Sequence, residues 1–402
     1  MIWVEFLFIF FYNHHRDDTM EYIENINVDN KRVILRLDLN VTIKDGKILD
    51  DTKIKKGIPT IKYLLNHNAN ILIMSHLGKI KTDEDKKNNS LEQVSYVLSE
   101  LLEIPVKFIK ETRSEELINS TFENRVTLME NTRYEDLPNK CESGCDDELA
   151  KYWSSAGEIF INDAFGTTHR CHTSNYGISK YLPSAYGFLI KEELNGLDPI
   201  VHNIEKPFVV IMGGAKVDDK VALIESLLKE CDYLLVGGGI ANTFLKACGY
   251  NVGNSLYSSD YVEKIKTLLD MHKNKIWMPV DVIIKSGGEI NTVGIDEIPS
   301  TGSIYDIGPK SVDIYKKILK ESSTIFVNGT MGLYEDESFR NGTENLYKAL
   351  SNINATIIAG GGDAIASIKN LGYQKNFDFL STGGGATLEY ISEKKLKCFG
   401  EN

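Results

Sequence analysis

Phe208-Val-Val-Ile-Met212-Gly213-Gly214-Ala215-Lys216-Val-Asp-Asp-Lys220 is an unbroken apolar run that stops at a glycine pair and continues into a lysine-bearing segment. Five apolar residues without alternation are what a parallel strand buried on both faces requires. The glycines allow close approach of backbone to a phosphate, and the following helix N-terminus would offer free N–H groups. Lys216 and Lys220, four apart, are expected on one helical face. The same grammar recurs through the second half. Tyr233–Val236, Thr356–Ala359 and Phe377–Leu380 lead to Gly237-Gly238-Gly239, Gly360-Gly361-Gly362 and Gly383-Gly384-Gly385.

In the first half the runs end differently. Arg32–Leu37 gives Asp38 and Asn40, Asn70–Met74 gives Ser75 and His76, Val126–Met129 gives Arg133, and Glu158–Ile161 gives Asp163, His169 and Arg170. Ligands of parallel α/β sheets sit beyond the carboxyl ends of the strands, so the two halves predict two different ligand surfaces. One suits a nucleotide phosphate chain, the other a small polar anion.

Helical stretches at 54–65, 91–102, 148–155, 220–228, 241–247, 261–272, 311–320 and 342–350 alternate with these runs, the pattern of βαβ units. A chain of 402 residues exceeds what one core usually holds. The expected architecture is α/β, with two Rossmann-like three-layer domains of mainly parallel sheets joined by a helical hinge. The boundaries are an N-terminal domain over 20–187, a hinge over 188–205 and a C-terminal domain over 206–389, with the tail 390–402 packing back on the first domain. Between Tyr181 and Lys206 the Pro-punctuated sequence predicts helix and no strand. The stretch 79–89, dense in Lys, Asp and Asn, predicts a solvated loop. Residues 1–19 hold an apolar run too short to span a bilayer and without the features of a secretory signal; they are read as an extension before Met20.

A net charge of −12 excludes a broad basic face, so neither nucleic acid nor an anionic membrane is an expected partner. The six cysteines show no disulfide framework and no paired zinc spacing, the pattern of reduced thiols in a cytoplasmic protein. There is no Walker A pattern. None of the glycine triplets carries the third small residue of a dinucleotide fingerprint, since Asn242, Ile365 and Leu388 stand there, which disfavours a dehydrogenase.

Eight motifs in order, Arg36-Leu-Asp-Leu-Asn40, Ser75-His-Leu-Gly78, Glu130-Asn-Thr-Arg133, Asn162 to Arg170, Gly213 to Lys220, Asn328-Gly-Thr-Met-Gly332, Gly360-Gly-Gly-Asp363 and Ser381 to Ala386, closely resemble those of the phosphoglycerate kinase family. The resemblance runs from about residue 20 to the C-terminus. It implies transfer of the acyl phosphate of 1,3-bisphosphoglycerate to MgADP, giving 3-phosphoglycerate and MgATP after hinge closure, by a monomer acting on small molecules. It further implies that Asp38, Asn40, Lys53, His76, Lys79, Arg133, His169 and Arg170 hold the glycerate. Gly213, Lys216, Lys220, Gly237, Gly238, Asn328, Glu335, Gly361, Gly362, Asp363 and Ala364 would hold ATP or ADP. Asp363 would hold Mg²⁺, and Lys53, Lys216, Gly362 and Gly385 would act at the transferring group.

Four positions depart from the family pattern. Lys53 and Lys79 stand where the family carries arginine, which loses the planar bidentate fork. Thr330 replaces a proline and Ala364 a threonine. These departures leave a second reading, a catalytically weakened relative that only binds nucleotide or phosphoglycerate.

Overall fold

The computed structural model describes residues 21–396; the expectation for residues 1–19 lies outside them. The chain divides within one helix, at Lys191/Glu192, into two compact units.

The first unit is built on seven strands: β1 (Glu21–Tyr22), β2 (Arg32–Leu37), β5 (Asn70–Met74), β6 (Lys107–Ile109), β7 (Val126–Met129), β8 (Ile159–Asp163) and β9 (Ser184–Tyr186). Their order is β1-β9-β8-β2-β5-β7-β6, and every pairing is parallel. A two-stranded hairpin, β3 (Ile43–Lys44) with β4 (Lys47–Ile48), stands beside it. The helices are α1 (Thr52–Asn66), α2 (Asp83–Asn88), α3 (Glu92–Leu102), α4 (Glu115–Glu123) and α5 (Asp147–Ser154). Strand alternation sorts the core into two layers. Val33, Leu35 and Leu37 of β2 face Ile54, Ile61 and Leu64 of α1 and Val94 and Leu98 of α3. Ile34 faces the opposite way, onto Leu117 of α4 and Leu149 and Trp153 of α5. The central strands β2, β5 and β7 are thus buried on both sides, which explains their largely apolar sequences.

Helix α6 (Phe188–Val201) carries the unit boundary. Its start is held in the first unit by Asp163, whose Oδ1 accepts from the N–H of Leu189 at 2.7 Å and Ile190 at 3.2 Å.

In the second unit β10 (Phe208–Met212), β11 (Tyr233–Val236), β12 (Ile276–Trp277), β16 (Thr324–Asn328), β17 (Thr356–Ala359) and β18 (Phe379–Leu380) form a parallel sheet in the order β12-β11-β10-β16-β17-β18. A separate antiparallel sheet, β13 (Asp281–Ser286), β14 (Glu289–Gly294) and β15 (Ser303–Ile307), was not foreseen. The helices are α7 (Val221–Glu230), α8 (Gly238–Ala247), α9 (Val262–Met271), α10 (Pro309–Lys320), α11 (Asn341–Leu350), α12 (Gly362–Asn370) and α13 (Gly385–Glu393).

Four local expectations need correction. Ser184–Tyr186 is a strand, recruited by pairing with β8 (Ala185 opposite Ile161) despite Pro183 before it. The charged stretch 79–89 contains a helix, nucleated by a capping box in which Thr82 and Asp85 satisfy each other's backbone N–H. Helix α7 begins at Val221, so Lys216 and Lys220 precede it and share no helical face. Tyr390–Lys394, expected with the tail on the first unit, lie in the second, whereas Lys395 and Leu396, the last described residues, group with the first as expected. Ser226 Oγ of α7 donates to the Ser392 carbonyl at 3.1 Å and Lys394 pairs with Glu230 at 2.6 Å. Residues 397–402 are outside the described range.

The glycines after β10 and β11 serve backbone contact as well as any ligand. A Cβ on Gly213 would overlap the Thr330 carbonyl, and one on Gly239 would overlap the carbonyl of Ala215. Gly213 N–H donates to Asn328 O at 2.9 Å, Gly214 N–H to Thr330 O at 3.0 Å and Gly238 N–H to Met331 O at 2.8 Å. Three loops are thereby locked together at the strand ends. Gly239→Ala is expected to destabilise the second unit by about 1–3 kcal/mol, read as a lower urea midpoint.

Candidate functional site: an anion cluster and a glycine-walled cavity

At the carboxyl ends of β2 and β5 the first unit gathers the expected polar residues. Asp38, at 8% exposure, pairs with Lys53 from the first turn of α1 at 2.8 Å. Burial pushes the Asp38 carboxyl up, but Lys53 and His76 outweigh it and hold the group below its ordinary value. Asn40 Oδ1 accepts from Gly78 N–H at 2.9 Å, tying the β2 loop to the loop after β5. His76 lies within electrostatic range of Arg36, Asp38, Arg133 and Lys53. His172 lies in the same way near Arg133, Arg36, Arg170 and His169. Burial first, then these cations, lower both imidazoles to about 3. Arg133 donates to Asp136 at 3.3 Å while its Nε is buried without a partner. Arg170 is exposed, as is Lys79 on the loop beyond Gly78.

The scaffold under this cluster was largely missed. Asn131 accepts from Leu77 N–H (3.1 Å) and Arg133 N–H (3.0 Å) and donates to the carbonyls of Leu77 (2.7 Å) and Asn89 (2.9 Å). One buried amide thereby places both the His76 loop and Arg133. Glu130 beside it accepts from Ser90 Oγ at 2.6 Å and Leu91 N–H at 2.8 Å. The adjacent Glu130-Asn131-Thr132-Arg133 was a legible signal, but its partners were not.

In the second unit the strand order reverses between β10 and β16. A cavity of about 420 Å³ opens there, lined among others by Gly214, Gly238, Asn242, Leu256, Glu335 and Asp363. Its size and its place at a topological switch point suit a nucleotide. Lys220 reaches back to the Gly213 carbonyl at 2.7 Å, and burial pulls its ammonium down to about 8. Lys216 is exposed on the loop between them. Gly361 and Gly384 precede the first turns of α12 and α13, at φ +94° and +56°, so both triplets aim helix N-termini outward. The open wall adds Leu256, Tyr305, Leu333 and Tyr334, apolar and aromatic surface that no glycine motif announced.

Two expected nucleotide contacts are buried. Asn328 is fully buried, donating to Gly360 O at 2.7 Å; its side chain shapes the loop after β17. Ala364 is fully buried too and offers only backbone. The turn that lost its proline is braced instead by hydrogen bonds, since Met331 N–H donates to Thr343 Oγ1 at 3.0 Å.

No cluster of three or more metal-ligating side chains exists among the described residues. Asp363, exposed in the first turn of α12 and on the cavity wall, is a single hard oxygen ligand. That fits Mg²⁺ shared with substrate phosphates, which needs only one or two carboxylates. Cys141, Cys145, Cys231 and Cys248 are free, whereas Cys171 is disulfide-bonded, which corrects the reading of reduced thiols at that position.

A cationic cluster on one α/β unit and a glycine-walled, switch-point cavity on the other are what a phosphotransferase with two ligand surfaces requires. The model of the family described as phosphoglycerate kinase matches residues 23–394. Phosphoglycerate kinase of Macrococcus caseolyticus is 45% identical over 382 residues, covering 93% of this chain and 96% of that protein. Among solved structures, phosphoglycerate kinase from Coxiella burnetii is similar at TM-score 0.85 and 36% identity, covering 94% of this chain and 97% of the other. That of Pyrococcus horikoshii is similar at 0.79 and 32%, with the same coverages. The chain belongs to the phosphoglycerate kinase family and is an enzyme, a kinase of glycolysis.

Lys220 yields a pH prediction. Its value falls from 10.5 in the unfolded chain to about 8 in the fold, so between these the unfolded chain holds more protons. The cost of burying the charge is present below about pH 8, and stability of the second unit rises as pH climbs from there toward 10.5. Bound phosphates favour the charged lysine, so ADP binding above about pH 8 is expected to take up protons. Calorimetry in buffers of different ionisation enthalpy measures the uptake, and Lys220→Met should abolish it.

Proposed function

We propose that this chain transfers the acyl phosphate of 1,3-bisphosphoglycerate reversibly to MgADP, with the glycerate on the first unit and the nucleotide on the second. The observation that carries the assignment is the pairing of the two surfaces with strand ends. Cationic and neutral donors gather where β2 and β5 end, and helix N-termini with Lys216 and Lys220 gather where β10, β16 and β17 end. Asp38, Asn40, Lys53, His76, Arg133, His169 and Arg170 take the glycerate, with Lys79 at the rim. The cavity takes the adenosine, with Glu335 on the ribose and Asp363 on the metal.

Phosphoryl transfer leaves the protein little covalent work, so catalysis is positioning and charge neutralisation. Lys53, oriented by Asp38, and the exposed Lys216 bring positive charge to the migrating group. The N–H groups at Gly361-Gly362 and Gly384-Gly385 supply fixed dipoles. Mg²⁺, held by Asp363 and the phosphates, would neutralise charge on the phosphate oxygens. The leaving carboxylate is stable as an anion, so no general base is required. Bending at α6 and Gly187 would bring the substrates in line and exclude water that hydrolyses an acyl phosphate.

The reading of a weakened relative rested on Lys53, Lys79, Thr330 and Ala364. The Asp38 partnership supports Lys53 as a working clamp, because that carboxylate orients the ammonium in the cluster. No helix of the described residues is long and apolar enough to cross a membrane. Membership of the family supports the further proposal of a cytoplasmic monomer acting on small molecules.

Steady-state ATP formation from Mg²⁺, ADP and 1,3-bisphosphoglycerate tests the proposal. The wild type is expected to turn over, and Lys53→Arg to change kcat by less than about tenfold, since the charge is kept. Lys53→Met is expected to cost about 10²–10³ in kcat, the scale of one lost transition-state donor. Nucleotide binding without wild-type turnover would overturn the enzyme reading. Asp363→Ala should raise the Mg²⁺ requirement while leaving 3-phosphoglycerate binding intact.

A further inference from the structure

We propose that Arg36 is a positioning residue for the glycerate site, holding His76 as the neutral tautomer with its proton on Nε2, so that the ring can only donate to a bound anion. This rests on the reading of the first-unit cluster as that site.

Arg36 lies on β2 with no solvent exposure. Its Nε donates to Ser174 Oγ at 2.8 Å, its Nη1 to the carbonyls of Leu37 and Met74, and its Nη2 faces His76 Nδ1 at 3.2 Å. Ser174 in turn donates through Oγ at 2.5 Å and N–H at 2.9 Å to the two carboxylate oxygens of buried Glu142. The guanidinium is therefore fixed on every side.

A guanidinium has donors and no acceptor, and it keeps its charge in proteins. Nδ1 of His76 must then be the acceptor, which leaves the single ring proton on Nε2. A second proton would set Nδ1–H against Nη2–H, two donors with no lone pair between them. The other charged groups facing the ring are Asp38, Arg133 and Lys53. Asp38 is already paired with Lys53, so the ring has no uncommitted anion to charge against. The depressed imidazole, near 3, agrees with this geometry.

The consequence is a division of labour. Lys53, Arg133 and Arg170 supply charge, whereas His76 supplies a directional donor whose state stays constant while the substrate phosphate titrates. A histidine in ordinary surroundings would change charge in that same range.

The test is ¹⁵N spectroscopy of the histidine-labelled full chain, with the His76 signals assigned by their loss in His76→Gln. The expected wild-type result is the Nε2–H pattern, unchanged between about pH 5.5 and 8. A Nδ1–H pattern, or titration near the ordinary value of about 6.5, overturns the proposal. Arg36→Met alone would strand Glu142, so the companion variant is Arg36→Met/Glu142→Gln, which removes both buried charges. Its His76 is expected to show mixed tautomers and to titrate above the wild-type value, still held below its ordinary range by burial, Arg133 and Lys53. Its KM for 3-phosphoglycerate should rise relative to wild type, while its KM for MgATP should not. An unchanged KM for 3-phosphoglycerate in a variant whose His76 tautomers are mixed overturns the positioning role. If the double variant does not fold, the wild-type spectrum decides. A wild-type His76 in the expected tautomer that does not respond to added 3-phosphoglycerate removes the glycerate assignment and leaves the tautomer standing.

Discussion

A parallel strand buried on both faces can present chemistry only at its ends. Every strand interior of β2, β5, β10 and β16 is committed to two packed layers, and their backbone groups are committed to neighbours. The residues immediately after each strand are thus the first free to meet a ligand. Most of the chemistry assigned to this chain hangs on those few positions. The first unit fills them with polar side chains that bond one another across loops, as Asn131 does for the His76 loop. The second fills them with glycines, so that three loops close on each other through backbone alone.

The two solutions differ because their ligands differ in kind. A small anion is recognised by side-chain charge, and a cluster of cations must be kept apart, buried and oriented. Here burial and mutual repulsion keep His76 and His172 neutral, which limits the positive charge to residues that cannot release it. A phosphate chain is recognised by backbone N–H groups at helix starts, which carry no net charge to desolvate. The lysines there sit at different depths, with Lys220 turned inward onto the Gly213 carbonyl and Lys216 left exposed. That difference gives one a depressed ammonium and leaves the other available to move.

The substitution of lysine at position 53 illustrates how context alters a reading made from residue type. Lysine is a flexible, hydrated point charge and a poor substitute for a planar fork. Asp38 at 2.8 Å supplies part of the lost orientation from outside the side chain. The threonine at 330 is a similar case: the backbone bonds of Gly214, Gly238 and Met331 hold the turn that proline would have pre-set.

Local pattern determined the strands β2, β5, β10, β11 and β17, the α/β class, and the positions where each strand delivers its polar or glycine residues, because these follow from periodicity and from which residues tolerate burial. Tertiary structure alone decided what those residues touch. The short strand β9 exists through pairing with β8, and the antiparallel sheet β13–β15 through contacts its weakly patterned strands do not advertise. Asn328 reads as a ligand in sequence, and only the fold shows that its amide also braces the Gly360 loop. Arg36 only opens a motif in sequence, and in the fold it is the group that faces His76 Nδ1. The reason is physical: hydrophobic periodicity is written along the chain, whereas a hydrogen bond between residues 36 and 76, or 36 and 174, depends on a distance that exists only once the sheet has formed.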